Sequence, residues 1–174
     1  MFPSEKIILH EENPHDRPEI FRLNTLAFQG DSEAKLVDSL RQSGAIVLSL
    51  VACQGDTIVG HIAFSNAQIE SVTDSFPTLV LAPMAVLPGF QRQGIGSLLI
   101  ERSIKILKAR NHSSILVLGH RDYYPAFGFR LAKDYQITCQ FQVPRESFMA
   151  LELYPDALKA VTGKLIYHEA FHRL

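Results

Sequence analysis

An unbroken apolar run, Leu79-Val80-Leu81-Ala82-Pro83-Met84-Ala85-Val86, has the length and composition of a buried strand. A Pro88-Gly89 turn follows it, then the glycine-bearing loop Gln91-Arg92-Gln93-Gly94-Ile95-Gly96. Beyond the loop Ile95, Leu98, Leu99, Ser103, Ile106 and Leu107 recur at three- and four-residue spacings, which predicts a helix with one buried face. The rest of the chain is arranged around this strand–loop–helix unit.

Upstream, residues 6–10 are short and apolar-centred and predict a first strand. Pro18 suits the first turn of a helix whose buried face is Ile20, Leu23, Leu26 and Ala27. Asp31 is the expected N-cap of a second helix that buries Leu36, Val37 and Leu40 and stops at Gly44. Residues 46–53 and 57–69 read as two strands of a hairpin turning at Gln54-Gly55-Asp56, and 71–77 as a polar loop. After Asn111-His112, residues 114–118 predict a strand parallel to the one ending at Val86, because a helix-linked strand pair forms a right-handed βαβ unit. A short helix over 123–127 stops at Gly128, and strands are expected at 137–141 and 148–153. The last residues, 166–174, fit strand or helix equally. No repeat or linker divides the chain, so residues 1–174 read as a single α/β domain.

Strand, glycine loop and helix together make an anion site. Gly94 and Gly96 let backbone approach a ligand, and the first N–H groups of a helix point outward at the positive end of its dipole. That suits a pyrophosphate. A G-x-G-x-x-G dinucleotide loop is a weak match, with Leu99 at the third small position. A P-loop is also weak, because Ile95 and Gly96 follow Gly94 where Lys and Ser/Thr are needed.

Charge and composition narrow the partners. The 174 residues carry a formal net charge of −1, with 47% hydrophobic and 20% charged residues, and no Lys/Arg run of the kind that tracks a nucleic-acid backbone. Cys53 and Cys139 lie in expected strands without C-x-x-C spacing and read as buried, reduced thiols. The first six residues lack the basic and apolar regions of a leader, and no apolar run is long enough to span a membrane; a cytoplasmic protein is expected. The oligomeric state is left open by the sequence, a homodimer being the usual form for soluble proteins of this size.

Gln91, Gly94 and Gly96 fill the Q/R-x-x-G-x-G/A loop of the GNAT N-acetyltransferases, and Val86-Leu87-Pro88 supplies the V-x-P that precedes it. Gly60-His61-Ile62-Ala63 resembles the family's G-H-I strand, and Tyr124-Pro125-Ala126-Phe127-Gly128-Phe129 its Y-x-x-x-G-F. Val143-Pro144, residues 148–153, Gly163 and Tyr167 are similar to the YhbS-like branch. The resemblance covers nearly the whole chain and is strongest over 79–129. It implies the GNAT (acyl-CoA N-acyltransferase) fold: a mixed, twisted sheet with a central splayed parallel strand pair, flanked by helices. It also implies transfer of an acetyl group from acetyl-CoA to a primary amine by direct attack in a ternary complex, with no covalent cysteine.

The cofactor-binding set so implied is Met84, Ala85, Val86, Gln91, Arg92, Gln93, Gly94, Ile95, Gly96, Ser97 and Tyr124. The amides of residues 93–97 would hold the pyrophosphate. The amide-rich pantetheine arm would pair with the strand edge at Met84, Ala85 and Val86, an edge that Pro83 marks because proline cannot donate to a ladder. Catalytic roles fall to the Ala85 N–H, with Met84 second, as donor to the thioester carbonyl, and to Tyr124 as proton donor to the departing sulfur. The competing reading of Tyr124 and Tyr123 is that of aromatic core residues.

The general base is open. The central strand carries no ionisable residue, leaving His61, Glu70, His120 and Asp122. Gly119-His120-Arg121-Asp122 also lacks the asparagine that many members place there; Arg121 is equally a phosphate or acidic-substrate contact and a solvated side chain. These departures sustain a second hypothesis, a non-catalytic acyl-CoA-binding or sensor domain. His168-Glu169-Ala170-Phe171-His172 matches the zinc-protease H-E-x-x-H literally but ends two residues from the C-terminus after a strand-like run, so a chance match without metal is expected. His120-Arg121-Asp122 is kinase-like but has Phe127 at the metal-binding asparagine position, and no G-x-S-x-G elbow exists. The acceptor amine has no recognisable code; residues before 44, the 71–77 loop and the C-terminal tail are expected to shape its pocket.

Overall fold

The computed structural model describes residues 6–174. Residues 1–5, on which most of the leader reading rests, lie outside it. No helix among the described residues is long and apolar enough to cross a membrane. The elements are β1 (Ile7–Glu11), α1 (Arg17–Phe28), α2 (Ser32–Gln42), β2 (Ile46–Gln54), β3 (Thr57–Glu70), β4 (Ser75–Val86), α3 (Ile95–Ala109), β5 (Ser114–Leu118), β6 (Arg130–Leu131), β7 (Ile137–Cys139), β8 (Phe148–Glu152) and β9 (Gly163–Ile166). They cluster in two compact units: residues up to 63 with 83–103 and 170–174, and residues 64–82 with 104–169.

In the first unit β1 and β2 are antiparallel, with Ile8 opposite Cys53 and His10 opposite Val51. β2 turns through Gly55-Asp56 into β3, and the end of β4 is fastened to the start of β3 by the Leu87 N–H to Val59 carbonyl bond of 2.9 Å. Ile20 and Leu23 of α1, Val37 of α2, Val51, Ile58 and Ala85 form one buried cluster. The face of α1 is Ile20, Leu23, Asn24 and, half-buried, Ala27; Leu26, expected inside, is 45% exposed. Spacing from Ile20 puts positions 23, 24 and 27 on one side, so a polar residue holds a core position and an apolar one faces out. Asp31 does occupy the N-cap of α2, its carbonyl accepting from the Lys35 N–H, but its side chain pairs with the Lys35 ammonium at 2.7 Å rather than capping.

The second unit holds the helix-linked parallel pair of the sheet. Leu79, Val80 and Leu81 of β4 lie opposite Ile115, Leu116 and Val117 of β5. β8 is antiparallel to β5 and β6 to β8, while β9 runs antiparallel to the end of β3 and carries β7 on its other side. β4 begins four residues earlier than its apolar run implies, so only residues 71–74 form the loop. Ser75 explains part of this by donating to Gln68 Oε1 at 3.1 Å, and Thr78 is buried with its hydroxyl 2.6 Å from that of Ser114. Among the α3 positions Ile95, Leu99, Ser103 and Leu107 are buried and Ile106 is half-buried, but Leu98 is 43% exposed; Ile100, which the spacing missed, takes its place. The expected helix at 123–127 is a 3-10 turn over Tyr124–Phe127, and the strand expected to end at 141 ends at Cys139.

The buried Thr78–Ser114 hydroxyl pair yields a test. Thr78→Val should cost about 1–3 kcal/mol, because it strands the Ser114 hydroxyl, whereas Thr78→Val with Ser114→Ala should recover most of that loss. Urea midpoints of the two variants check it; equal losses would show that the pair is not what matters there.

Candidate functional site

β4 delivers the chain to a tightly stapled loop. A 3-10 turn over Pro88–Phe90 is closed by the Phe90 N–H to Leu87 carbonyl bond of 2.8 Å. The Gln91 side-chain amide donates to the Val86 carbonyl at 3.1 Å and that of Gln93 to the Gly89 carbonyl at 3.2 Å. Both glutamines therefore hold the loop against the strand it leaves. Arg92 and Gly94 sit in the left-handed region at φ 60° and 81°, which turns the chain sharply before the helix. The first helical bond runs from the Leu98 N–H to the Gly94 carbonyl at 3.0 Å, so the Ile95 and Gly96 amides precede the intrahelical ladder. The first turn of α3 carries no acidic residue, and Arg92 is exposed beside it.

Gly60 sets where that turn sits. A Cβ at Gly60 would stand 2.8 Å from Ile95 Cγ2 and 3.1 Å from Leu99 Cδ1. The helix therefore packs against bare backbone of β3, and this is the physical content of the glycine in Gly60-His61-Ile62. Met84 and Val86 are half-buried at the end of β4, whereas the side chain of Ala85 is buried in the cluster beneath α1 and α2.

Tyr124 belongs to the second unit. It is buried at the start of its 3-10 turn, with edge contacts to Tyr123 and Phe129, and Gly128 closes the turn at φ 95°. Its ring lies over Gly119, where a Cβ would come within 2.2 Å of Cε2. Burial, with Tyr123 adding to it, pushes the Tyr124 phenol up to about 12, so it stays protonated at neutral pH.

The base candidates separate on burial. His120 and Asp122 are exposed, and Arg121 pairs with Asp122 at 3.7 Å on the surface; Glu70 is exposed opposite Lys164 of β9. His61 is fully buried, and its two ring nitrogens are committed. Ser49 donates its hydroxyl to Glu12 Oε2 at 2.7 Å, so it must receive the hydrogen of His61 Nε2 at 2.9 Å. Asn24 donates from Nδ2 to the Ile20 carbonyl at 2.9 Å and to His61 Nδ1 at 3.1 Å. His61 is thus a neutral imidazole protonated at Nε2. Glu12 in turn receives Arg41 through Nε at 2.7 Å and Nη2 at 3.0 Å, while Arg41 Nη1 reaches Asp38. Nothing in the sequence pattern announced this chain from Asn24 to Asp38; only Asn24 at a core spacing hinted at it. Burial, with Arg41 adding to it and Glu12 opposing, pushes His61 down to about 4. Burial pushes Glu12 up, but the bonds from Arg41 and Ser49 outweigh it and hold the carboxyl below its usual value.

The H-E-x-x-H residues do not share a helix. β9 ends at Ile166, His168 precedes a 3-10 turn over Glu169–Arg173, and no group of three or more metal-ligating side chains is assembled among the described residues. Cys53 and Cys139 are free thiols and half-buried rather than buried.

With this geometry in view, comparison with known proteins is direct. Residues 17–129 match the model of the acetyltransferase (GNAT) family. The chain belongs to that family. YhbS of Escherichia coli K12, described as an uncharacterized N-acetyltransferase, is 32% identical over 96% of this chain and 99% of its own. The GNAT fold follows in detail: a crystal structure of E. coli YhbS in complex with CoA superposes with a TM-score of 0.93 at 31% identity, covering 100% of this chain and 96% of that one. A GNAT acetyltransferase from Brucella melitensis in complex with acetyl-CoA gives 0.80 at 31% identity over 96% and 99%. The expected family and the mixed sheet with its parallel β4–β5 pair are both borne out.

His61 makes stability depend on pH. Its folded value lies below the unfolded one, so the unfolded chain binds the extra proton between pH 6.5 and about 4, and stability falls as pH falls through that window. The loss is on the order of 3 kcal/mol, with Glu12 adding to it only below its own usual range. His61→Gln should be less stable at about pH 7 yet lose much less between about pH 7 and 5 than the unsubstituted protein. Urea midpoints at the two pH values measure this, and parallel losses would refute the assignment.

Proposed function

We propose that this chain moves an acetyl group from acetyl-CoA to a primary amine by direct attack in a ternary complex. The observation that carries the reading is the stapled loop, with Arg92 and Gly94 in left-handed conformation and the Ile95 and Gly96 amides at an acid-free helix start. Those residues fit a pyrophosphate. Gln91 is best read as shaping that cradle through Val86, with Arg92 and the amides of Gln93, Gly94, Ile95, Gly96 and Ser97 facing the phosphates. Met84, Ala85 and Val86 take the amide-rich arm as an added strand, and the splay of the parallel pair that this needs is supported by Pro83, two residues beyond the paired Leu81.

Bound acetyl-CoA supplies an activated acyl group; the protein supplies position and protons. The Ala85 N–H, with Met84 second, donates to the carbonyl oxygen as it gains charge. Tyr124, protonated at neutral pH, donates to the sulfur as it departs. Neither cysteine is required for the transfer. The acceptor amine must lose its proton, and with His61 held neutral by two partners that task falls outside the buried chain. We place the reaction in the cytoplasm.

The absence of any ionisable residue on β4 favours one second reading, an acyl-CoA-binding sensor without turnover. Free-thiol release from acetyl-CoA across an amine panel separates them: amine-dependent release supports the transferase, and tight binding without release supports the sensor. Tyr124→Phe should lower turnover by roughly ten- to a thousand-fold with CoA binding nearly intact. An unchanged turnover removes Tyr124 from the mechanism. Gly60→Val should weaken CoA binding by about tenfold or more, because the first turn of α3 must move away from β3; calorimetric titration with CoA reads it, and an unchanged affinity would show that the helix position is not what the site depends on.

A further inference from the structure

A nucleophile and a base meet at the β1–β2 ladder, among residues that the reaction above does not use. Cys53 Sγ lies 3.6 Å from His10 Nε2, within reach of a sulfur hydrogen bond. The other ring nitrogen decides the tautomer. His10 Nδ1 is 2.9 Å from the Glu11 carbonyl, which only accepts, so Nδ1 carries the hydrogen and Nε2 presents its lone pair to the thiol. The Asp16 carboxylate stands 3.8 Å from Nδ1 and is held by the Asn13 N–H at 2.7 Å; the Asn13 side-chain amide lies 3.5 Å from the same nitrogen. The ring itself is partly open to solvent, its side chain 36% exposed.

We propose that Cys53 and His10, with Asp16 behind the imidazole, form a nucleophilic pair that accepts an acyl group from a thioester. The Cys53 S–H proton passes to His10 Nε2 as sulfur bonds to the acyl carbon. The thioester C–S bond breaks, and the departing thiolate takes the proton from Nε2. The exchange conserves atoms and electrons and needs no other reagent. Burial, with Asp16 adding to it, pushes the Cys53 thiol up, so at rest it is a thiol that depends on a base. The choice of a thioester rests on the proposed function: a chain that binds acetyl-CoA is presented with one, and Cys53 packs against the same buried cluster that includes Ala85. Cys139 is the internal control, since its sulfur faces the Tyr167 hydroxyl at 3.8 Å rather than an imidazole.

The test is acylation of the full chain by phenyl thioacetate, with sites and rates read by peptide mass mapping. Acetyl adduct should accumulate at Cys53 and not at Cys139. His10→Gln should slow it by about ten- to a hundredfold, and Cys53→Ser should abolish it while retaining amine-dependent thiol release from acetyl-CoA. Equal labelling of both cysteines, no labelling of Cys53, or an unchanged rate in a folded His10→Gln variant each overturns the pair. Because phenyl thioacetate needs no pyrophosphate cradle, those outcomes are distinct from failure of acetyl-CoA turnover.

Discussion

The geometry of the anion cradle depends on one close approach, that of the α3 first turn to the backbone of β3 at Gly60. Packing density leaves no slack there, since the nearest side-chain carbon already lies where a methyl group would go. The turn's outward amides are therefore fixed relative to β3, and through the Leu87–Val59 bond relative to the end of β4. Gln91 closes the circuit by tying the loop back to Val86. Strand, loop and helix are held by three separate fastenings, each supplied by a different residue of the sequence motifs.

The other organising feature of the first unit is polar. A chain of hydrogen bonds runs from Asn24 in α1 through His61 and Ser49 to Glu12 and Arg41, linking two helices to two strands and to the residue just after β1. Such a chain is a poor source of net stability, because each group gives up water to join it. What it does supply is definition. Asn24 is oriented by the Ile20 carbonyl, His61 by Asn24, and Ser49 by the Glu12 carboxylate, so each member has one acceptable arrangement. The chain also carries an imperfection, since Asn24 Oδ1 is buried with no hydrogen-bond partner among the described residues.

Much of the fold was legible because periodicity and turn chemistry agreed. The βαβ unit, the Gly55-Asp56 hairpin, the stop at Gly44 and the parallel orientation of β5 were all readable from spacing and residue type. Misreadings arose where the apolar face was not made only of apolar residues. Asn24 looks like a surface residue and is at home in the core because His61 and the Ile20 carbonyl wait for it, while Ser75 looks like loop but opens β4, exposed and bonded to Gln68. Leu26 and Leu98 look like core but lie one position off the buried face. At the site, the glycines and Gln91 were visible because the motif is local. The Glu12–Ser49–His61 chain and the Cys53–His10 contact were not, because each joins residues separated by a dozen or more positions.

Gly119 and Tyr124 show how one contact can restrict the paths open to a sequence over evolutionary time. A methyl group at 119 and an aromatic ring at 124 claim the same volume. A lineage keeping the ring can explore no side chain at 119, and one that first acquires a side chain there must abandon or displace the ring. The two positions are thus expected to drift together or stand still together. Within the segment from the end of β5 to Gly128, residues 120–122 keep more freedom to diversify, because their side chains are exposed and His120 meets Tyr124 only through its backbone carbonyl.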